Sequence, residues 1–107
     1  MKSTILLENG KSIELPKKAL QTKEFENFVV VLSDSNEQNK LNNENVYCYD
    51  FEGNQLWQIA DLNLFHEKHD YTSLYIQDSE FYIYNRCGVE VKIVPETGEV
   101  LSKELIK

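Results

Sequence analysis

Short segments in which apolar and polar residues alternate recur along most of the chain, and turn-forming residues separate them. Alternation with a period of two places every second side chain on the same side of an extended backbone, as in a half-buried β-strand. Gly, Asn, Asp and Pro at the boundaries favour turns. The pattern predicts strands at residues 3–8, 12–15, 26–32, 46–51, 55–60, 73–78, 80–85, 89–94 and 99–105.

Three of the links between these strands have the composition of tight turns. They are "ENGK" with Asn9 and Gly10, "FEGN" with Gly53, and "PETG" with Pro95 and Gly98. Glycine adopts a positive φ without steric cost, and proline fixes φ for the second residue of a turn. We therefore predict antiparallel neighbours, with a positive φ at both Gly53 and Gly98.

Three stretches lack the strand pattern. Residues 33–45 are polar and Asn-rich, which predicts a mobile loop. Residues 60–71 predict a single helical turn capped by Asp61, which would protect one edge of the sheets. The stretch "PKKALQTKEF" predicts a few helical residues, with Pro16 in the first turn.

The fold predicted from these elements is all-β, in one domain spanning residues 1–107. At 107 residues the chain has the usual size of a single domain. We expect an antiparallel meander of eight or nine short strands, arranged as two blade-like sheets or as one curled sheet. Because two blade lengths cannot close a ring, the open edges must be covered, charged or paired. A homodimer is one expected solution.

Two turn segments carry a specific resemblance. Gly10, Gly53 and Gly98 recur at intervals of 43 and 45 residues, and a four-stranded propeller blade has a repeat of about 40–45 residues. "YCYDFEGNQLW" and "VPETGEVL" resemble the strand-turn-strand segment in blades of the pyrroloquinoline-quinone-enzyme-like β-propeller type. The resemblance covers residues 46–57 and 91–101. It implies a strand-turn-strand geometry and no cofactor.

The stretch "NVYCYDFEGNQLWQI" allows two interpretations. Tyr47 and Tyr49 alternate with Cys48, and Trp57 follows the turn, so both faces of the hairpin are largely apolar. A central hairpin covered on both sides is the favoured interpretation, because alternate aromatic residues in strands are normally core or cross-strand pairs. The alternative is an aromatic patch open to a partner, extended by Tyr75, Tyr82 and Tyr84.

The cluster "HEKHD" is the main candidate for chemistry. In a helix, His66 and His69 would share one face with metal-ligand spacing, beside Glu67 and Asp70. The second His comes one residue too early for the H-E-x-x-H zinc motif, and no further Cys or His lies near. We expect a solvated loop without a metal.

The two cysteines predict neither a disulfide scaffold nor a nucleophile. Cys48 lies between two tyrosines in an inner strand, where burial raises the pKa of a thiol and makes it inert. We regard Cys48 and Cys87 as small apolar fillers in a reducing compartment.

Charge limits the classes of partner. Eighteen acidic and eleven basic residues give a formal net charge of -7, which disfavours nucleic acid and anionic membranes. No signal-peptide core or membrane-spanning run is apparent, so a cytoplasmic location is expected.

The function predicted from these features is that of a non-enzymatic acidic binding protein. A basic protein is the expected partner, as for small acidic immunity proteins that neutralise nuclease-type toxins. A metal-binding protein or enzyme using the segment from His66 to Asp70, and a blade-like self-assembly domain, remain as alternatives. We expect the following residues to ring one end of the sheets and bind the partner: Glu44, Glu52, Glu67, Asp70, Tyr71, Asp78, Glu80, Tyr82 and Tyr84.

Overall fold

A computed structural model describes residues 3–34, 43–62 and 69–106. Within these ranges the chain forms ten β-strands and no helix, which confirms the prediction of an all-β fold. The strands are β1 Ser3–Leu6, β2 Ser12–Leu15, β3 Ala19–Glu24, β4 Phe28–Ser33, β5 Val46–Asp50, β6 Gln55–Gln58, β7 Tyr71–Gln77, β8 Glu80–Asn85, β9 Val89–Ile93 and β10 Val100–Leu105.

The strands form two antiparallel meanders and one separate hairpin. The first sheet has the order β3-β4-β5-β6, and the second sheet has the order β7-β8-β9-β10. Strands β1 and β2 form the N-terminal hairpin. Every pair is antiparallel between strands that follow each other in sequence, so the predicted meander is confirmed.

Two apolar clusters hold these layers together. The larger cluster lies between the two sheets and includes Val30, Cys48, Leu74 and Ile83. The smaller cluster lies on the opposite face of the first sheet, where the N-terminal hairpin covers it. Strand β5 contributes to both clusters, and four of its five residues are buried. The aromatic stretch "VYCY" is therefore core, as the favoured interpretation predicted.

The hairpin of β5 and β6 departs from the prediction in one respect. Strand β6 is an edge strand of the first sheet, with Leu56 50% exposed and Trp57 partly buried against the main core. Of the two strands in this hairpin, only β5 is covered on both faces. Trp57 is the large apolar residue of β6 that packs on the second sheet.

The glycine turns have the predicted backbone conformation. Gly53 has a φ of 91° and Gly98 a φ of 77°, so both predictions are confirmed. In the first of these turns the Asp50 carboxylate accepts hydrogen bonds from the backbone N–H groups of Glu52 and Asn54, each at 2.9 Å. These bonds favour the ionised form and lower the pKa of Asp50.

The helical residues predicted in "PKKALQTKEF" are wrong. Residues 19–24 form β3, an edge strand that pairs with β4. Its alternation is hard to recognise because the side that faces inward carries Ala19 and Gln21, while Leu20 is 53% exposed. Pairing with β4 overrides the local helix propensity.

Two side-chain amides join the sheets. The buried Asn45 accepts a hydrogen bond from the backbone N–H of Tyr71 at 2.9 Å and donates to the Tyr71 carbonyl at 3.0 Å. Gln21 makes the same two contacts with Leu74, at 3.0 and 2.6 Å. Each amide therefore replaces a neighbouring strand beside β7 and satisfies its outward backbone groups.

Register irregularities mark the outer strand pairs of both sheets. They occur between β3 and β4, β5 and β6, β7 and β8, and β9 and β10. The central pairs β4–β5 and β8–β9 keep a regular register. Bulges at edges disfavour uncontrolled strand pairing.

Parts of two predicted elements lie outside the described residues. These are most of the polar loop, at 35–42, and the centre of the predicted helical turn, at 63–68. Among the residues that the structure covers, no helix is long and apolar enough to cross a membrane.

Candidate protein-binding face

The outer face of the second sheet is the surface on which predicted site residues converge. In β8, Phe81, Ile83 and Asn85 point into the core and are buried. The alternate residues Glu80, Tyr82 and Tyr84 point outward. The neighbouring strands add outward residues at matching positions of the register. We call this surface the tyrosine face; it comprises Ser73, Tyr75, Glu80, Tyr82, Tyr84, Glu90, Lys92, Ser102 and Glu104.

Aromatic rings occupy the centre of the tyrosine face. Tyr75 and Tyr82 lie opposite each other on β7 and β8, with ring centroids 5.5 Å apart and planes at 20°. Tyr84 lies two residues along β8, opposite Ser73. All three tyrosines are partly exposed. Tyrosine on an open surface offers an apolar ring and a hydroxyl group together, which suits protein contacts.

Acidic residues surround these rings. Glu90 lies directly opposite Tyr84 on one side and opposite Glu104 on the other. Like charges in directly opposite positions of a sheet destabilise it. Lys92 lies opposite Ser102 and Tyr82, so no basic residue occupies the position across from either glutamate. The tyrosine face therefore carries three carboxylates and one ammonium group within the sheet.

The turn between β7 and β8 adds a further carboxylate. Asp78 and Ser79 have φ values of 52° and 65° and link the two strands by two residues, as in a type I′ turn. Asn-Gly is the preferred sequence there, because other residues are strained at positive φ. The turn thus presents Asp78 beside Glu80 at a cost in stability.

Asp70 and Tyr71 lie in the interior, contrary to their predicted role at a binding rim. Asp70 accepts two hydrogen bonds from the Arg86 guanidinium, at 2.7 and 3.1 Å, and only 7% of Asp70 is exposed. This pairing raises the pKa of Arg86. Tyr71 is 1% exposed, and burial raises its pKa. Both residues fix the start of β7 and leave almost no surface for a partner.

The predicted ring of acidic residues at one end of the sheets does not form. Glu44 precedes β5 and Glu52 follows it, so they lie at opposite ends of a strand about 17 Å long. Asp70 and Asp78 likewise flank the two ends of β7. Glu52 forms an ion pair with Lys11 at 3.3 Å. Glu67 lies outside the described residues.

Four of the predicted residues do come together. Asp78, Glu80, Tyr82 and Tyr84 all belong to the tyrosine face or its adjoining turn. Glu90, Lys92 and Glu104 were missed, although the alternation in "VEVKI" already places Glu90 and Lys92 on one side of β9. What the sequence does not show is the register that sets Glu104 across from Glu90.

The two cysteines and the cluster "HEKHD" were the candidates for reactivity or metal binding. Both thiols are free, and burial raises the pKa of Cys48 to about 12, as expected for an inert thiol. In the ranges 3–34, 43–62 and 69–106, no group of three or more His, Cys, Asp or Glu residues is placed to hold a metal ion. His66 lies outside these ranges.

Comparison with known families assigns the chain to a family but indicates no activity. A family model described as Domain of unknown function (DUF7957) matches residues 1–105, and the chain therefore belongs to that family. No curated protein matches the chain.

Proposed function

We propose that this DUF7957 member is a non-enzymatic binding protein whose tyrosine face docks a basic protein partner. Its mode of action would be that of a small acidic immunity protein, which neutralises a basic toxin by covering it. The composition supports a basic partner, because the net charge is -7. The geometry supports the location, because three tyrosines and three carboxylates lie on one face of the second sheet, and Asp78 adds a fourth carboxylate in the adjoining turn.

The pair of Glu90 and Glu104 carries this proposal. The two residues lie directly across from each other on β9 and β10, and Glu90 is partly buried beside Tyr84. A lysine at either position would give a favourable cross-strand pair in the isolated protein. A Lys or Arg side chain from a partner would provide the same compensation upon binding. Two like charges in such positions are thus better suited to a complex than to the protein alone.

The arrangement also predicts which residues control the association rate and which control the dissociation rate. Aromatic side chains at the centre of an interface dominate its affinity and slow dissociation. Charges around the centre mainly raise the association rate, and salt screens this effect over about 8–10 Å. Tyr82 should therefore govern dissociation, and Glu80 with Asp78 should govern association.

The proposed resemblance to propeller blades is compatible with this function. Two four-stranded meanders in which every strand follows its neighbour in sequence support it. A blade-like sheet offers one broad face and two edges for contacts. No cofactor is implied.

Binding kinetics would test the proposal. A basic protein co-purified from the native cell is immobilised, and rates are measured at low and physiological salt for Glu80→Lys, Tyr82→Ala and the wild type. Glu80→Lys should slow association several-fold at low salt, and Tyr82→Ala should mainly accelerate dissociation. Glu26→Lys is the matched control, because Glu26 is exposed in the turn between β3 and β4. An association rate that depends on neither salt nor Glu80 would contradict the proposal.

A further inference from the structure

The two edges of the second sheet differ in how their backbone groups are used. At the β7 edge, the Gln21 amide bonds to both the N–H and the carbonyl of Leu74. At the β10 edge, no described residue forms a comparable bond to the outward side of the strand. Strand β10 also lacks proline, and beyond the bulge near Leu101 it keeps a regular register from Ser102 to Leu105. It is therefore the edge at which a further strand can pair.

The register identifies the backbone groups that point outward. The Ile106 N–H donates to the Gly88 carbonyl at 2.7 Å, which makes this a hydrogen-bonded pair. Such pairs alternate along an antiparallel ladder, so Glu104 and Ser102 also bond toward β9. The N–H and carbonyl groups of Lys103 and Leu105 consequently point away from the sheet.

The side chains along β10 define what an added strand would meet. On the side of the tyrosine face, its side chains would lie beside Glu104 and Ser102, with Glu90 one strand further in. On the opposite side they would lie beside Leu105, which is 54% exposed, and beside the aliphatic stem of Lys103, with Leu101, which is 50% exposed, nearby. Basic side chains suit the first side and apolar side chains the second.

We propose that β10 is a strand-addition site that pairs with an extended partner segment in which basic and apolar residues alternate. This inference rests on the proposed function, since it assigns a binding mode to the same basic partner. Main-chain hydrogen bonds to Lys103 and Leu105 supply affinity, and the two faces of β10 supply specificity. The added strand continues the second sheet, so its basic side chains extend the tyrosine face.

A second copy of the chain suits this edge less well. Two of the possible two-fold registers, centred on Lys103 and on Glu104, place like charges directly opposite each other. Like charges in such positions are unfavourable. Each copy also carries a net charge of -7, so association brings two acidic molecules together.

A peptide titration followed by amide hydrogen exchange tests the strand-addition site. The probe is an end-capped peptide that alternates lysine with valine and threonine, and the control peptide carries glutamate in place of lysine. The lysine peptide should slow exchange at the Lys103 and Leu105 amides and leave the β7 amides unchanged. Glu104→Lys should weaken its binding about two- to five-fold, whereas Glu26→Lys should not. Equal binding of the two peptides, or no protection at β10, would overturn the proposal.

The variant Lys103→Pro tests strand addition at the β10 edge while leaving the fold intact. Proline at this position removes an outward N–H and spares the bonds to β9, so unchanged protection of the Glu90 amide, which points toward β10, would verify an intact sheet. Binding of the lysine peptide should then be lost. If the full-length basic partner binds Lys103→Pro as it binds the wild type, while Tyr82→Ala weakens it, the proposed function stands and strand addition is wrong. A concentration-dependent dimer that Lys103→Pro dissociates would identify a second copy as the occupant and contradict the proposal.

Discussion

The indole ring of Trp57 packs directly on Gly98. The Trp57 Nε1 donates a hydrogen bond to the Pro95 carbonyl at 2.9 Å, and a Cβ atom on Gly98 would lie 2.8 Å from the indole Cδ2. The edge of the first sheet is thereby fixed to the turn between β9 and β10. Trp57 belongs to the segment 46–57 and Gly98 to the segment 91–101, so these two segments pack against each other.

Gly98→Ala should destabilise the protein more than the same change at another turn glycine. Gly98 has a φ of 77° and no room for a methyl group, whereas Gly10 has a φ of 87° and open space around the Cβ position. We expect about 1–2 kcal/mol for Gly10→Ala from backbone strain alone, and a clearly larger loss for Gly98→Ala. Denaturant unfolding measures both. Equal losses would show that the indole does not constrain Gly98.

A double-mutant cycle isolates the contact between the two residues. In a Trp57→Ala background the indole is gone, so Gly98→Ala should cost only what Gly10→Ala costs. Residues in contact typically show coupling free energies of about 0.5–3 kcal/mol. Strict additivity of the two changes would contradict the packing described for this site.

Asn45 should be more important to stability than Gln21, although both amides join the two sheets. Asn45 is 1% exposed, and Asn45→Ala leaves the buried N–H and carbonyl of Tyr71 without their side-chain partner. Each unsatisfied buried group costs about 1–3 kcal/mol, so we expect a loss of about 3 kcal/mol or more. Gln21 is partly exposed, and water can replace its amide, which limits the loss for Gln21→Ala to about 1 kcal/mol. Thermal unfolding of both variants compares them, and a larger effect at Gln21 would refute the account.

Relief of strain in the β7–β8 turn should stabilise the fold. Ser79→Gly at a φ of 65° is expected to raise the free energy of unfolding by about 0.5–1 kcal/mol. Ser79→Ala is the control and should bring no gain, because alanine is also strained there. A gain of the same size from both changes would mean that backbone strain is not the cause.

The Asp50 carboxylate should contribute to the acid sensitivity of the protein. Its hydrogen bonds, foremost those from Asn54, lower its pKa below the ordinary value of 3.8. A lowered folded-state pKa gives stability that is present above the unfolded pKa and is lost as the pH falls through the folded pKa. Asp50→Asn should therefore reduce the slope of stability against pH below about 4. An unchanged slope would rule out this contribution.

Most strands were predictable because their alternation is set by burial on one side. Strands β2 and β8 are clear examples, with apolar residues at Ile13, Leu15, Phe81 and Ile83. Strand β3 was not predictable, because its inward positions hold Ala19 and Gln21 and its role depends on pairing with β4. The local sequence predicts which residues are buried better than it predicts which strands pair.

The candidate site was predictable only in part, for the same reason. Alternation alone places Glu80, Tyr82 and Tyr84 on one side of β8. The proximity of Glu90 to Glu104 depends on the register of β9 and β10, which contains a bulge near Leu101. Asp70 was misassigned because its partner, Arg86, lies sixteen residues away in another turn. Turn positions in the sequence do not reveal which end of a sheet a residue occupies.

The central claim is that Glu90 and Glu104, which lie opposite each other on the tyrosine face, serve to bind a basic partner and do not stabilise the fold. Measurement of both unfolding and partner affinity for Glu104→Lys tests this claim most directly. The change creates an opposite-charge pair with Glu90, so the free energy of unfolding should rise by roughly 0.2–1 kcal/mol while affinity for the basic partner falls. A variant that loses stability, or that gains stability and binds the partner as tightly as the wild type, would contradict the account.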